Sequence, residues 1–324
     1  MAGRSALAPS YIIAHARAMF SFSDSVAYWT AATQLVLAMS GMGATLTLEQ
    51  FREIVRRPHP VGIVLGSQYL VFPGLAALCG WMIELPPGVA IGLVLMNAVP
   101  SGSMTNVYTY LGLGNVTLSI VMTVASTAIC FVATPLALEW FAAAELPKGF
   151  SMPIKETLYP IIFFLLLPVA FGALVAYYLP QWKQVFSRWI VRASLMPLTM
   201  YIVGSLTSGR IDVTEHGLHV PGLLIILVIA TIVLTNELAK LTGFDSSDSF
   251  TMAIEVGMRN GNLAFALIET FFPERNPTND GVRFVALFYA GATMVIAGIA
   301  VIRRRWRLAR KARREASMQE QRSA

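Results

Sequence analysis

The residues best suited to chemistry lie in two short polar stretches, each set between apolar runs. The first is Asn97-Ala98-Val99-Pro100-Ser101-Gly102-Ser103-Met104-Thr105-Asn106. The second is Glu255-Val256-Gly257-Met258-Arg259-Asn260-Gly261-Asn262, between a run ending at Ile254 and the run Leu263–Phe272. Their carboxylate, amide, hydroxyl and carbonyl oxygens are hard ligands that suit hard cations. Ser119 and Thr123 stand at i, i+4 and share one helix face, while Gln68 is the one large polar residue in the run Val61–Leu78. Each of these also fits a plainer role, as a satisfied helix hydroxyl or as polar glue between helices. Glu255 and Arg259, also at i, i+4, can pair and simply neutralise each other. Asn236 and Glu237 lie near a helix end and are weaker candidates, and Glu269 reads as interfacial. Glu255 is a lone carboxylate without a partnered nucleophile or a metal-ligand cluster, so enzyme chemistry finds no support.

Both stretches demand elements that tolerate a break. Pro100 removes a backbone donor and clashes with the preceding turn, and Gly102 loosens the chain further. The composition shows what such a break costs. Of 324 residues, 56% are hydrophobic and 13% charged, and the mean hydropathy is +0.62; ordinary soluble domains carry about 25% charged residues. This excludes a secreted disulfide scaffold, a disordered chain and most cytosolic enzymes, and points to an all-α polytopic membrane protein. In hydrocarbon an unwound stretch survives only where protein, water or an ion satisfies its backbone. A proline kink in a packing helix is the simpler alternative for the first stretch, but it leaves the accompanying polar side chains unexplained. Ionisable residues at membrane depth are functional by default. Paired discontinuous helices in comparable places of two halves point to the midplane site of a secondary transporter. There, half-helix N-termini face an anion and freed carbonyls face a cation.

Windows of about 20 apolar residues fall near 28–46, 61–82, 88–111, 116–138, 157–178, 192–208, 219–240, 250–271 and 283–302. That makes about nine transmembrane helices, the third and eighth interrupted. Residues 1–27 read as a short N-terminal segment, 28–302 as the transmembrane domain and 303–324 as a basic tail. The net charge of +6 lies in that tail: residues 1–302 hold 15 Lys/Arg and 16 Asp/Glu, whereas 303–324 hold 9 and 2. A basic body that binds nucleic acid would distribute its charge differently. The cluster Arg303, Arg304, Arg305, Arg307, Arg310, Lys311, Arg313 and Arg314 begins where the last window stops. It reads as a cytoplasmic flank that meets anionic lipid headgroups. Loop cations divide evenly between Arg52, Arg56, Arg57, Lys183, Arg188, Arg192 and Lys240 on one side and Arg4, Arg17, Lys148, Lys155, Arg210, Arg275 and Arg283 on the other. The tail therefore decides the orientation, with the C-terminus inside and, for nine spans, the N-terminus outside. Cys79 and Cys130 read as packing residues, and Trp81, Trp140, Trp182 and Trp189 as interfacial anchors.

Ser40-Gly41-Met42-Gly43-Ala44-Thr45-Leu46-Thr47 resembles the Gly-Met-Gly-x-Thr-Leu stretch of the bile acid:sodium symporter family. Pro100 through Leu111, followed by Gly114-Asn115 and Leu118-Ser119, resembles that family's first crossing helix. Glu255-Val256-Gly257-Met258-Arg259-Asn260 resembles the Glu-x-Gly-x-Gln-Asn motif of its second. Order and spacing fit from about residue 29 to 300. The resemblance implies an inner-membrane transporter built as two inverted repeats, about 28–139 and 157–302. A core domain holds the two crossing discontinuous helices, and a panel domain accompanies it. Because residues 1–27 are short and polar, the chain is similar to the nine-helix members. The resemblance also implies one sodium site from Thr105, Asn106, Ser119, Thr123 and Glu255, and a second from Gln68, Glu255 and the carbonyls of Val256 and Met258. Arg259 departs from this pattern, standing where the family has glutamine. A guanidinium is a donor only and always charged, so it cannot ligate Na⁺. Three consequences stay open: Arg259 fills the second site as a tethered cation paired with Glu255, or it binds a substrate carboxylate bidentately, or protons replace sodium. Ser103, Met104, Asn260 and Gly261, with Arg259, are the implied substrate positions. Ala292 and Thr293 stand where some bacterial members have a His-Asn pair.

The chain thus reads as a secondary active transporter of an organic anion, not an enzyme, coupled to Na⁺ and using no organic cofactor. A proton-coupled carrier and an uncoupled facilitator or channel are the alternatives that Arg259 favours. A non-transporting membrane sensor whose tail contacts lipid or a partner is the remaining one.

Overall fold

In a computed structural model of the chain, the described residues are 24–45, 58–146, 162–207, 217–272 and 276–323, with single residues 49, 52, 55, 56, 159 and 274. Residues 1–23 of the N-terminal segment, Leu46 and Thr47 of the first motif, and the loop cations Arg4, Arg17, Arg57, Lys148, Lys155, Arg210 and Arg275 lie outside them. Among the described residues every regular element is helical. In chain order these are α1 (Asp24–Gly43), α2 (Pro58–Ile83), α3 (Pro87–Ala98), α4 (Ser103–Leu111), α5 (Val116–Phe141), α6 (Ile162–Tyr178), α7 (Lys183–Thr207), α8 (His219–Leu241), α9 (Ser246–Gly257), α10 (Gly261–Phe271) and α11 (Pro277–Ser323).

Among the described residues, α2, α8 and Pro277–Gln319 of α11 are long and apolar enough to cross a membrane. The bent pairs α3 with α4 (66°) and Val116–Cys130 with Val132–Phe141 (67°) raise that count to five. The other apolar windows of the sequence fall on α1, α6, α7 and on α9 with α10. Large apolar side chains stand exposed, among them Leu174, Met200, Ile226 and Val233. A lipid-facing surface carries such residues in quantity, whereas a water-facing one does not. Trp81 and Trp140 stay exposed near the ends of α2 and α5, as interfacial anchors do. Cys79 and Cys130 are free thiols within helices. α11 runs through position 302 without a break, so the basic tail is a helical extension of the last span.

The chain divides into two compact units: Met1–Leu46, Pro153–Leu218 and Asn262–Phe284 form one, and Thr47–Met152, His219–Gly261 and Val285–Ala324 the other. Each draws on both halves of the sequence. In the first unit α1 packs on α6 and α7. The approach to α6 requires Gly43, because a Cβ there would overlap the backbone of Val169, and a Cβ on Gly172 would overlap that of Ser40. The second unit carries both polar stretches except Asn262. Its core is assembled from Val64 and Phe72 of α2, Leu118 and Met122 of α5, and Met252 and Val256 of α9. Two local devices fix the helices there. Asp245 caps α9, its carboxylate accepting from Ser247 N (2.7 Å) and Asp248 N (2.8 Å). A wide π-type turn at Ser67–Val71 interrupts α2 and turns both Gln68 and Tyr69 inward.

Glu269 corrects the sequence reading. It is not a solvated interfacial residue but half of a pair with Arg283 in the first unit, the side chains 11% and 4% exposed. Arg283 donates from Nε to Glu269 Oε1 (2.8 Å) and from Nη2 to Glu269 Oε2 (3.3 Å) and Phe272 O (2.7 Å). From Nη1 it donates to Glu274 O (3.2 Å) and Asp280 Oδ1 (3.3 Å). All five guanidinium donors are used. Removing one partner of such a pair strands a buried charge and costs about 3–5 kcal/mol. Glu269→Ala is therefore expected to lower the melting temperature of the purified protein strongly, and adding Arg283→Met is expected to recover part of the loss. Equal melting of the single variant and the unaltered protein refutes this account.

Candidate functional site

The site begins with two breaks in the second unit. α3 ends at Ala98 because Pro100 follows: Val99 is extended, as a residue before proline prefers, and Gly102 is extended before α4 starts. α9 ends at Gly257, with Met258 extended. The sequence thus placed both interruptions, and the structure narrows the first to Val99–Gly102. Four of the freed carbonyls find partners. Ala98 O accepts from Thr134 Oγ1 (2.7 Å), and Pro100 O accepts from the backbone N–H of Asn260 (2.9 Å). Val99 O accepts from Gln68 Nε2 (3.0 Å) and Arg259 Nη1 (3.4 Å). Gly102 O accepts from Thr105 N (3.0 Å) and Oγ1 (2.8 Å). The hydrogen bond from Asn260 to Pro100 ties one break to the other.

Glu255, fully buried in the last turn of α9, is the centre of a hydroxyl cluster. Its Oε1 accepts from Ser101 Oγ and Thr123 Oγ1 (2.6 Å), and its Oε2 accepts from Ser119 Oγ (3.0 Å). Thr105 Oγ1 lies 3.4 Å from Thr123 Oγ1, and Thr109 Oγ1 lies 3.4 Å from Ser119 Oγ. Asn106 Oδ1 is buried with no hydrogen-bond partner. Ser119, Thr123, Thr105 and Glu255, expected together from sequence, do come together. Ser101 and Ser126 were not singled out; Ser126 Oγ sits 3.4 Å from Ser101 Oγ. The signal for Ser101 was its place directly after Pro100. Among the described residues no group of three His, Cys, Asp or Glu gathers, so one carboxylate and several neutral oxygens make up the site. A hydroxyl both donates and accepts. The hydroxyls that donate to Glu255 can therefore turn lone pairs toward a cation, with Asn106 Oδ1 as a ready-made further ligand.

Arg259 is 6% exposed and makes no ion pair with Glu255, in contrast to the pairing the sequence allowed. Its Nη1 donates only over the long distance to Val99 O, and Nε and Nη2 have no partner. Gln68, fully buried, meets it at the same carbonyl and leaves Oε1 without a partner. Tyr289, fully buried near Arg259, donates to Asn97 Oδ1 (3.1 Å). Val256 and Met258 flank the end of α9. Of the substrate positions, Asn260 is buried at the crossing and Gly261 opens α10. Ser103 is half-buried at the start of α4, and Met104 packs with Tyr108, Ile254 and Met258 in an apolar cluster.

Comparison with known proteins finds relatives over most of the chain. The family model described as Sodium Bile acid symporter family matches residues 32–216. The chain is 31% identical over 250 residues to Uncharacterized sodium-dependent transporter YocS of Bacillus subtilis, covering 74% of this chain and 73% of that one. It is 35% identical over 240 residues to Probable sodium/metabolite cotransporter BASS2, chloroplastic, of Oryza sativa subsp. japonica, covering 72% and 55%. With Sodium/bile acid cotransporter 4 of Mus musculus it is 27% identical over 250 residues, covering 74% and 56%. The chain thus spans little more than half the length of the latter two relatives.

The starved donors of Arg259 make a stability prediction. A buried charge without a counter-ion costs free energy that an apolar side chain of similar volume does not. Arg259→Met is expected to stabilise the ligand-free protein by about 1–4 kcal/mol, read as a raised melting temperature. A lowered melting temperature would show that the guanidinium is fully compensated.

Proposed function

This chain belongs to the Sodium Bile acid symporter family, membrane transporters rather than enzymes, and we propose that it is a secondary active transporter moving an organic anion with Na⁺ bound at Glu255. The observation that carries the reading is the hydroxyl cluster of Ser101, Ser119 and Thr123 on a fully buried carboxylate, beside the unpartnered Asn106 Oδ1. Na⁺ would take oxygens from Thr105, Asn106, Ser119, Thr123 and Glu255. Arg259 stands in place of a second ion: it already holds Val99 O, beside Gln68, where a sodium ligated by Gln68, Glu255 and the carbonyls of Val256 and Met258 would otherwise lie. One Na⁺ then neutralises Glu255 and leaves the fixed charge of Arg259 to attract an anion. The anion binds at the crossing, near Ser103, Met104, Asn260 and Gly261. On this reading the unit with both breaks is the core domain and the other the panel domain. Alternating access is movement of one against the other, with the basic tail on the cytoplasmic side.

A second reading is proton coupling. Glu255 is held only by neutral hydroxyls, so protonation is another way to neutralise it. Na⁺ titrations followed by melting temperature separate the two. Unaltered protein is expected to respond with a single-site curve, worth about 2.7 kcal/mol when Na⁺ stands at one hundred times its Kd. Glu255→Ala is expected to lose the response, and Arg259→Gln to bind a second ion and steepen the curve. A response that survives Glu255→Ala overturns the sodium site. Uptake that follows the pH gradient and ignores Na⁺ establishes the proton reading.

A further inference from the structure

Where α11 leaves its apolar span, α8 and α11 enclose a cavity of about 440 Å³, floored by Phe250 and Ala253 of α9. Its walls are aliphatic: Ile229 and Val233 come from α8, Ile296 and Ile299 from α11. Ile229, Val233 and Ile299 are about half-exposed, so the cavity is open along the apolar faces of both helices. Its mouth is cationic, carrying Lys240, Arg303, Arg304 and Arg307 against the single acid Glu237.

These cations differ in what they are free to do. Lys240 Nζ is already bound to Glu237 Oε1 at 2.7 Å. Arg304 is committed within the protein. It donates from Nε to Gly112 O (2.8 Å) and from Nη1 to Ser246 O (2.6 Å) and Ser246 Oγ (2.9 Å), and it lies over the Phe250 ring at 4.7 Å. Arg303 and Arg307 remain. They stand one turn apart on one face of α11, are exposed, and make no hydrogen bond or ion pair among the described residues.

We propose that this groove binds one anionic phospholipid. Its phosphate is held by Arg303 and Arg307, and the start of an acyl chain lies between Ile229, Val233, Ile296 and Ile299. Arginine suits a phosphate because its fork matches the oxyanion. A basic recess between membrane helices is where an anionic headgroup reaches protein charge without leaving the bilayer surface. A free phosphate would use the arginines and leave the aliphatic walls uncovered. A zwitterionic lipid would cover the walls, but its own cation would cancel the attraction. Only the anionic lipid matches both halves of the groove.

The site has a consequence for the crossing helices. Arg304 and Arg305, in the same stretch of α11, hold the C-terminal carbonyls of α4 through Gly112 O and Leu111 O (3.3 Å), where a cation complements the helix dipole. Arg304 also holds Ser246 at the start of α9. A lipid held by Arg303 and Arg307, on either side of that pair, braces the stem that fastens both broken helices.

The test is native mass spectrometry of the delipidated full-length protein, titrated with phosphatidylglycerol or phosphatidylcholine. Phosphatidylglycerol is expected to bind at one preferred site. Arg303→Gln with Arg307→Gln is expected to weaken it on the order of tenfold or more and to leave phosphatidylcholine unaffected. Ile299→Trp, which fills the groove without touching charge, is expected to weaken both lipids. Arg310→Gln, Lys311→Gln and Arg313→Gln together remove more charge outside the groove and are expected to leave the preference intact. Equal loss in the double and triple variants would mean diffuse attraction to the tail and overturns the proposal. So does competition by inorganic phosphate at matched concentration, which would mark an ion site. None of these readouts depends on transport.

Discussion

A backbone that opens inside hydrocarbon must have its freed groups met, and the second unit of this chain is organised around that demand. The break at Val99–Gly102 frees carbonyls from Ala98 to Gly102 in the middle of an apolar helix pair. Their partners come from four separate elements: Thr134 on α5, Gln68 on α2, Asn260 after α9 and Thr105 on α4 itself. The wide turn that rotates Gln68 inward and the tie between Asn260 and Pro100 serve this accounting. What the accounting leaves over is informative. In this unit Asn106 Oδ1, Gln68 Oε1, Thr235 Oγ1 and two nitrogens of Arg259 have no partner. All but the Thr235 hydroxyl belong to residues that the resemblance to a symporter singles out.

Two buried arginines show the difference between a structural charge and one kept for another purpose. Arg283 spends every donor, on Glu269, Asp280 and two backbone carbonyls. Arg259 makes a single long bond and leaves Nε and Nη2 idle. Desolvating a guanidinium is costly in both places, but only Arg283 is compensated by the protein alone. A residue that lowers stability without evident local compensation belongs to the part of a protein shaped by function rather than by folding.

Much of this was legible in the sequence, and the missing parts share a cause. Pro100, Gly102, Gly257 and Gly261 marked both breaks, because proline and glycine act locally. Ser119 and Thr123 were legible because i, i+4 spacing on a regular helix fixes a common face. Ser101 escaped, since a residue in an unwound stretch has no periodicity to place it. Tyr69, which donates to Ser126 O (2.7 Å), escaped because the wide turn in α2 breaks the 3.6-residue register. Glu269 and Arg283 are 14 residues apart, and no local rule joins them. The division into units, each drawing on both halves of the chain, is a property of tertiary packing. The run-on of α11 was hidden because a charged stretch reads as a tail by composition, whereas arginine and glutamate also favour helix.

The charges at the crossing carry a consequence for coupling on the sodium reading. Without ligands, Glu255 and Arg259 sum to zero, although they do not touch. A cation bound at Glu255 leaves Arg259 uncompensated in a low-dielectric setting, and an anion bound near Arg259 does the same to Glu255. Each ligand alone therefore creates a net charge that the other removes. Coupling free energy is reciprocal, so whatever factor Na⁺ adds to anion affinity, the anion returns to Na⁺. On that reading a glutamine at this position would call for a second ion to reach the same balance. In this chain a covalently held arginine is always present, and one ion with one monovalent anion is enough to restore neutrality.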